Sequence, residues 1–461
     1  MGFNRLSAWG AFTGLPAVFI ALSGCSAPAE EPQADLTFSG NIAQVIFTNC
    51  TPCHRKDGTA PFSLQSYQDV KRKAASIKYV VSTRFMPPWP ADPNYSHFAG
   101  EKVLSREQIG MIVQWVEKGC PVGDSTRIPP VPRYPEGSML GKPDMVVRMM
   151  EPVFLKGDGM DRFLLMKLPY EIGHDTFVRA IEFVPDKKKL VHHVNGFLLQ
   201  YDEGSKKNVF TGKAYVDTRD TDYKAAYELM QLSNDDGLTY PMLTPSAVNY
   251  LPGVLPVIYP EGIGGLKVKS KGAIFLKDIH YGPSASDQYD SSYFNVFFGK
   301  EPTGNRPLLE LQLGTLSKVA VSDPPLVIPP DSVKTFRIRF KVPEDISVVT
   351  INPHMHLLGK SFWAFAVKPG GDTIPLIRIP RWDFRWQYFY TFKKMLKIPA
   401  GSVIHVVGVY DNTKNNPLNP FNPPRAVGER DGSMRTTDEM FQFIINYLPY
   451  KPGDENISLE N

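Results

Sequence analysis

In Pro353-His354-Met355-His356-Leu357 two histidines stand two residues apart. Side chains at positions i and i+2 of a β-strand point to one face, so His354 and His356 could hold one metal ion on an undistorted strand. A second pair is adjacent, in Leu190-Val191-His192-His193-Val194. Neighbours on a regular strand point to opposite faces, and an ion shared by His192 and His193 requires a bulge or a sharp twist. Taken alone, either pair is equally compatible with one surface and one core histidine. The two pairs use four of the nine histidines; the others are His54, His97, His174, His280 and His405.

The surrounding sequence is β-rich. Phe163-Leu-Leu-Met-Lys-Leu168, Phe177 to Val184, Gly196 to Tyr201, Thr335 to Val342 and Ser402 to Val409 are short, rich in β-branched and aromatic residues, and bounded by Pro, Gly, Asp or Asn. Such runs predict two all-β antiparallel, jelly-roll-like sandwiches. Pro324-Pro325 and Pro329-Pro330 suggest a break near residue 320, giving sandwiches over 143–320 and 321–450 and a tail over 451–461. Arg381-Trp-Asp-Phe-Arg-Trp-Gln-Tyr-Phe-Tyr390 reads as a strand with Trp382, Phe384, Trp386, Tyr388 and Tyr390 on one face. That face is sandwich core or, alternatively, the lining of a substrate cleft.

Residues 36–123 have a different pattern. Ile42, Val45 and Ile46 share a helical face directly before Cys50-Thr-Pro-Cys53-His54, and Ser105-Arg-Glu-Gln108 opens a second helix with a capping box. Two cysteines flanking two residues match the spacing of the haem vinyl groups, and the following histidine can reach the iron. A thioredoxin-like pair would need a βαβ context, and a zinc site a second pair of ligands. The segment therefore predicts a small all-α cytochrome c domain with haem c on Cys50, Cys53 and His54. Met86, in Arg84-Phe-Met-Pro-Pro-Trp89, is the expected second axial ligand, with His97 as its rival. Six prolines between Pro121 and Pro143 mark a stiff linker over 124–142.

The chain has 461 residues and a net charge of +4, with no long basic run, which argues against a nucleic-acid partner. Its first 25 residues combine Arg5 with an interrupted apolar stretch, the pattern of an export signal. Leu22-Ser-Gly-Cys25 resembles the bacterial lipobox. That resemblance implies lipidation of Cys25, a tether over 26–35, and a membrane-anchored lipoprotein facing the periplasm or the cell exterior. The alternative is a cleaved signal in which Cys25 is incidental. With Cys25 on lipid and Cys50 and Cys53 on haem, only Cys120 remains, so no disulfide is available.

Over roughly residues 140 to 450 the chain resembles the copper type II, ascorbate-dependent monooxygenases, the family of the peptidylglycine α-hydroxylating and dopamine β-monooxygenases. The motifs are the His192-His193 pair, His280 in Asp278-Ile-His-Tyr-Gly282, the His354-Met-His356 pair followed by Leu357-Leu-Gly359, Tyr410-Asp-Asn412, Asn419-Pro420, and Met440 in Thr437-Asp-Glu-Met440. The resemblance implies one copper on His192, His193 and His280 that relays electrons. It implies a second copper on His354, His356 and Met440 that meets O2 and substrate. Three imidazoles would suit zinc equally, whereas two imidazoles with a thioether favour Cu(I). Where the peptide-amidating members clamp a substrate carboxylate with Arg, Asn and Tyr, this chain has Asn352, Gln442 and Ile444. A peptide carboxylate is therefore not the expected substrate.

Together these readings predict a dicopper monooxygenase that hydroxylates a C–H bond of a small molecule with O2. Electrons would pass from the tethered haem to the all-His copper, with ascorbate or another small reductant as an alternative or supplementary donor. The competing reading is a periplasmic electron-transfer or copper-binding protein without monooxygenase turnover.

Overall fold

The strand Ile346–Met355 is buried at every position but one, and the exception is His354. In the computed structural model it lies inside an antiparallel sheet ordered Leu309–Gly314, Phe441–Pro449, Ile346–Met355, Tyr390–Ile398. Residues 36–219, 221–260, 263, 265–300, 306–429 and 436–460 are described, and together they fall in one compact unit. The expected signal segment, the tether and Cys25 lie outside the described residues.

A second four-stranded sheet, ordered Val333–Lys341, Val403–Asp411, Gly359–Val367, Thr373–Ile379, completes the C-terminal half. Its strand Val403–Asp411 alternates strictly between half-buried and buried positions, turning Ile404, Val406, Gly408 and Tyr410 inward. That is the period-2 pattern of a strand with one face on a core. The N-terminal half is built alike. Five strands run in the order Tyr215–Asp217, Arg162–Glu171, Lys271–Tyr281, Val191–Tyr201, Met242–Tyr250. Four more are ordered Met145–Arg148, Tyr293–Phe298, Thr176–Val184, Leu266–Val268. Apolar side chains from all four sheets join one buried cluster, so the two halves share a continuous core. The strand Leu309–Gly314, expected to precede a boundary near residue 320, pairs with Phe441–Pro449 and so belongs to the C-terminal sheet.

Residues 36–123 contribute the helices Ala43–Asn49, Tyr67–Arg72, Ala74–Ser82 and Arg106–Glu117, the first entered through the π-turn Phe38–Ile42. The capping box at Ser105 and Gln108 forms as the sequence predicts. These helices close over their own core of Phe38, Ile42, Ile46, Val70, Ile77, Ile112 and Trp115. The segment after the third helix docks on the C-terminal half. Phe98 is fully buried against Tyr390 and Phe392, Ala99 N–H donates to the Thr391 carbonyl at 2.8 Å, and Tyr388 Oη–H donates to the Pro88 carbonyl at 2.9 Å. Burying one such phenylalanine contributes roughly 1.5–3 kcal/mol. In the proline-rich segment the one regular element is the short turn Ser125–Arg127, and Glu182 holds the far end of the segment by accepting from Ser138 Oγ–H and Met139 N–H.

One expectation needs correction. Residues 381–389 are not a strand; extended pairing begins only at Tyr390. Asp383 accepts from Arg385 N–H at 3.0 Å and its carbonyl accepts from Trp386 N–H at 3.0 Å, so an aspartate-nucleated turn replaces the ladder. Trp382, Tyr388 and Tyr390 are buried, whereas Phe384 and Trp386 are half-buried in the loop.

Candidate metal centres

The pair His192-His193 sits where the ladder breaks. Pairing of Val191–Tyr201 with Lys271–Tyr281 shifts register between Val191 and His193, which sets His193 directly opposite His280. This irregularity brings both histidines of the adjacent pair to His280, with ring centroids 4.7 Å from His192 and 5.1 Å from His193. Phe163, opposite His280 on the other neighbouring strand, stacks on its ring at 4.2 Å. Gly282 makes room for the cluster, since a Cβ there would lie 2.4 Å from His192 Nε2.

Two carboxylates complete this centre. Asp278 Oδ2 lies 2.6 Å from His193 Nε2, and Asp161 Oδ1 lies 2.8 Å from His280 Nε2. With these nitrogens carrying the proton and donating, the Nδ1 lone pairs of His193 and His280 are left for an ion. Ligand atoms of Asp161, His192 and His280 lie within 4.8 Å of one another. Burial, reinforced by the neighbouring His193, pushes His280 down to about 4, and burial also lowers His192. Both stay neutral near pH 7, the form that ligates metal. Burial alone would raise Asp278, but His193 beside it holds it below the usual range, as an anion.

The His354-His356 centre is built differently. The two rings meet with Nε2 atoms 3.2 Å apart. His356 Nδ1–H donates to the Asp438 carbonyl at 2.8 Å, which fixes the ring with Nε2 turned inward. Phe441 pairs with Met355, so Met440, one residue earlier, comes to the level of His356 and is buried. The Tyr410 hydroxyl donates to the Met440 carbonyl at 2.7 Å, and Trp382 Nε1–H donates to the His356 carbonyl at 3.2 Å. Glu439, also buried, accepts from the backbone N–H groups of His356 at 3.0 Å, Leu358 at 2.7 Å and Met440 at 3.3 Å. One carboxylate thus ties together the two chain segments that carry His356 and Met440. Burial raises Glu439 to about 8 against the pull of those three amides. Burial, then the facing His356, lowers His354 to about 3.

Asn352 and Gln442 donate their amide N–H groups internally, to the Tyr388 carbonyl at 2.8 Å and the Thr315 carbonyl at 2.7 Å. Each bond uses one of the two N–H groups of its amide, and neither side chain carries a charge. Phe384 approaches His356 at 5.8 Å between ring centroids.

In the helical segment, Cys50 to His54 form a tight turn in which His54 N–H donates to the Cys50 carbonyl at 2.8 Å. Both thiols are free of disulfides, as is Cys120, and burial pushes Cys50 up to about 12. His54 Nδ1 sits 3.2 Å from the Phe62 carbonyl, which leaves its Nε2 for another partner. Met86 is half-buried before a cis bond to Pro87, while His97 is exposed and paired with Glu101 at 3.2 Å. Cys53 reaches the N-terminal sandwich, because a Cβ on Gly253 would meet its Sγ at 2.4 Å. Of the remaining histidines, His405 stacks on Phe365.

Asp161, Asp278 and Glu439 were not singled out in the sequence. Asp278 carried a usable signal, since it stands two residues before His280 on one strand. Glu439 adjoins Met440 but gives no hint of its three amide partners. Asp161 is 119 positions from His280 and has no local signature.

Residues 332–452 match the family model described as copper type II ascorbate-dependent monooxygenase, C-terminal domain. The match contains His354, His356 and Met440; His192, His193, His280 and the Cys50 to His54 motif lie outside it. It supports a copper-dependent monooxygenase family for this part of the chain. No curated protein matches. A solved structure titled "Structure of PNGF-II in P21 space group" aligns at 10% identity and a TM-score of 0.24, over 66% of this chain and 65% of that chain. A likeness at that score carries no argument about fold or function.

Proposed function

We propose that this chain is an exported, lipid-anchored dicopper monooxygenase that carries its own haem c electron donor. The observation that carries the reading is the convergence of His354 Nε2 and His356 Nε2 at 3.2 Å inside the region that matches the copper monooxygenase model. Two imidazoles with the thioether of Met440 form a soft donor set suited to Cu(I). The cluster of His192, His193 and His280 would hold the second copper through imidazoles alone. Bound copper would supply one-electron chemistry and activation of O2.

The residues around these sets do the positioning. Glu439 and the Asp438 carbonyl hold His356 and Met440 in place before any ion arrives, which lowers the cost of assembling the site. Phe384 covers one side of His356 with apolar surface, and the neutral side chains of Asn352 and Gln442 supply no charged clamp. We infer a small substrate without an essential carboxylate.

Haem c fits the turn at Cys50, Cys53 and His54. The thiols are unpaired, and the contact of His54 Nδ1 with a carbonyl orients Nε2 toward an iron. Arg55 Nε and Trp89 Nε1 are buried donors without a hydrogen-bond partner, and the haem propionates need such donors. Met86 is the second axial ligand in this reading. The relay to the all-His copper is supported by Cys53 against Gly253, three residues beyond Tyr250, which pairs with Val194 next to His193. Ascorbate would serve as an external donor in place of the haem or beside it.

Substrate-dependent O2 uptake tests the reading. Reduced protein supplied with O2 and an oxidisable small molecule should reoxidise its haem in step with O2 consumption. Met440→Ala should abolish the uptake while the haem remains reducible. Uptake unchanged by Met440→Ala would contradict the proposal.

A further inference from the structure

The two candidate copper centres differ in what their histidines lean on. In the all-His centre two of the three rings are hydrogen-bonded through Nε2 to carboxylates, His193 to Asp278 at 2.6 Å and His280 to Asp161 at 2.8 Å. At the other centre the corresponding contact of His356 is to a neutral backbone carbonyl, that of Asp438. A carboxylate accepting from the far N–H of a ligating imidazole makes that ring more basic and places negative charge near the ion. Both effects stabilise Cu(II) over Cu(I). The carboxylates come from different places, Asp278 from the strand of His280 itself and Asp161 from the turn before Arg162–Glu171. Asp161 is also steered toward the cluster, because the next residue, Arg162, is buried and held by Asp158.

We propose that Asp161 and Asp278 are positioning residues that act through His280 and His193 to hold the all-His copper at a lower reduction potential than the His354-His356-Met440 copper. The inference rests on the dicopper reading above and adds to it an assignment of two residues outside the ligand set. The thioether of Met440 works in the opposite sense, favouring Cu(I) at its own centre. The potential difference is therefore written in two places, by anions on one side and by a soft ligand with a neutral carbonyl contact on the other. Asp161 is about half exposed and Asp278 less so, so water screens part of each charge.

The test uses the full-length protein and the variants Asp161→Asn and Asp278→Asn. Asparagine keeps the shape and a carbonyl acceptor, so a purely orienting role survives the change while the charge does not. Cu(II) and Cu(I) affinities of the all-His centre are measured by competition with chelators, and its Cu(II) signal is followed by electron paramagnetic resonance. Each variant should lose about tenfold in Cu(II) affinity, within the ~10–100-fold range for such outer contacts, while Cu(I) affinity holds. A tenfold change in that ratio corresponds to about 59 mV for a one-electron couple. The Cu(II) to Cu(I) ratio at the other centre should hold in Asp161→Asn and shift less than that of the all-His centre in Asp278→Asn, since the Asp278 charge also reaches His354 and His356 without a hydrogen bond to either; Asp278→Glu should restore most of the wild-type ratio. Equal losses for both oxidation states, or an unchanged ratio, would overturn the proposal. So would X-ray absorption showing that Asp161→Asn removes an oxygen bound directly to copper, since Asp161 would then be a ligand. If the wild-type protein takes up no copper at all, the dicopper reading itself fails, a different result from two bound coppers with unaltered ratios.

Discussion

The C-terminal centre is held by packing and backbone, whereas the N-terminal centre is held by a break in a ladder and by charged side chains. His356, Leu358 and Met440 all donate amide hydrogens to the buried Glu439, in the buried segments just past the ends of the strands Ile346–Met355 and Phe441–Pro449. His192, by contrast, is exposed, and the acids around its cluster are partly exposed too. A site fixed by burial loses stability and geometry together when it is altered. A site fixed by a surface bulge and outer carboxylates can be retuned with little cost to the fold.

The largest expected effect is that of Met440→Ala. It removes the proposed soft ligand and leaves a cavity in a buried position, so substrate-dependent O2 uptake should vanish and unfolding free energy should fall by ~2–5 kcal/mol. Denaturant titration alongside oxygen-electrode measurements checks both.

Glu439→Ala comes next. It strands three backbone donors, and with each buried unsatisfied group costing ~1–3 kcal/mol the protein should lose on the order of 3 kcal/mol or more, along with copper at the C-terminal centre. Copper retained at both centres with unchanged stability would break the contrast drawn between them.

At the N-terminal centre, Gly282→Ala pushes a methyl against His192 Nε2. Copper affinity of that centre should fall about 10–100-fold by displacement of one ring. Global stability should change far less than in Glu439→Ala. A melting temperature reduced as strongly as in Glu439→Ala would mean that the bulge is as much part of the core as the buried strand.

The smallest effect is expected at the dock between the helical segment and the C-terminal half. Asp92 pairs there with the half-exposed Arg378. Asp92→Asn should cost no more than about 1 kcal/mol, the ordinary worth of a pair near the surface. Haem-to-copper electron transfer should be preserved, because Phe98 and Tyr388 still hold the contact.

Spacing made some of this legible and sequence distance hid the rest. An ion shared by the adjacent His192-His193 pair required a bulge on strand geometry, and the ladder shifts register at that point. The capping box at Ser105 and the strands over 335–342 and 402–409 were readable for the same reason, since each is a local pattern. The run from Trp382 to Tyr390 misled because its alternation fits a strand, whereas Asp383 captures the backbone into a turn and the docked helical segment covers Tyr388. The strand Leu309–Gly314 joined the C-terminal sheet through pairing with residues more than a hundred positions away. Asp161 and the three-amide role of Glu439 are likewise products of tertiary approach, which periodicity and motif spacing do not encode.

The central claim is tested most directly by the metal and haem content of the purified mature protein, from elemental analysis with a pyridine haemochrome spectrum. The account predicts two coppers and one covalently bound haem per chain, with Met440→Ala reducing the copper count to one. Zinc in place of copper, or haem with no copper after reconstitution of a folded chain, would contradict it.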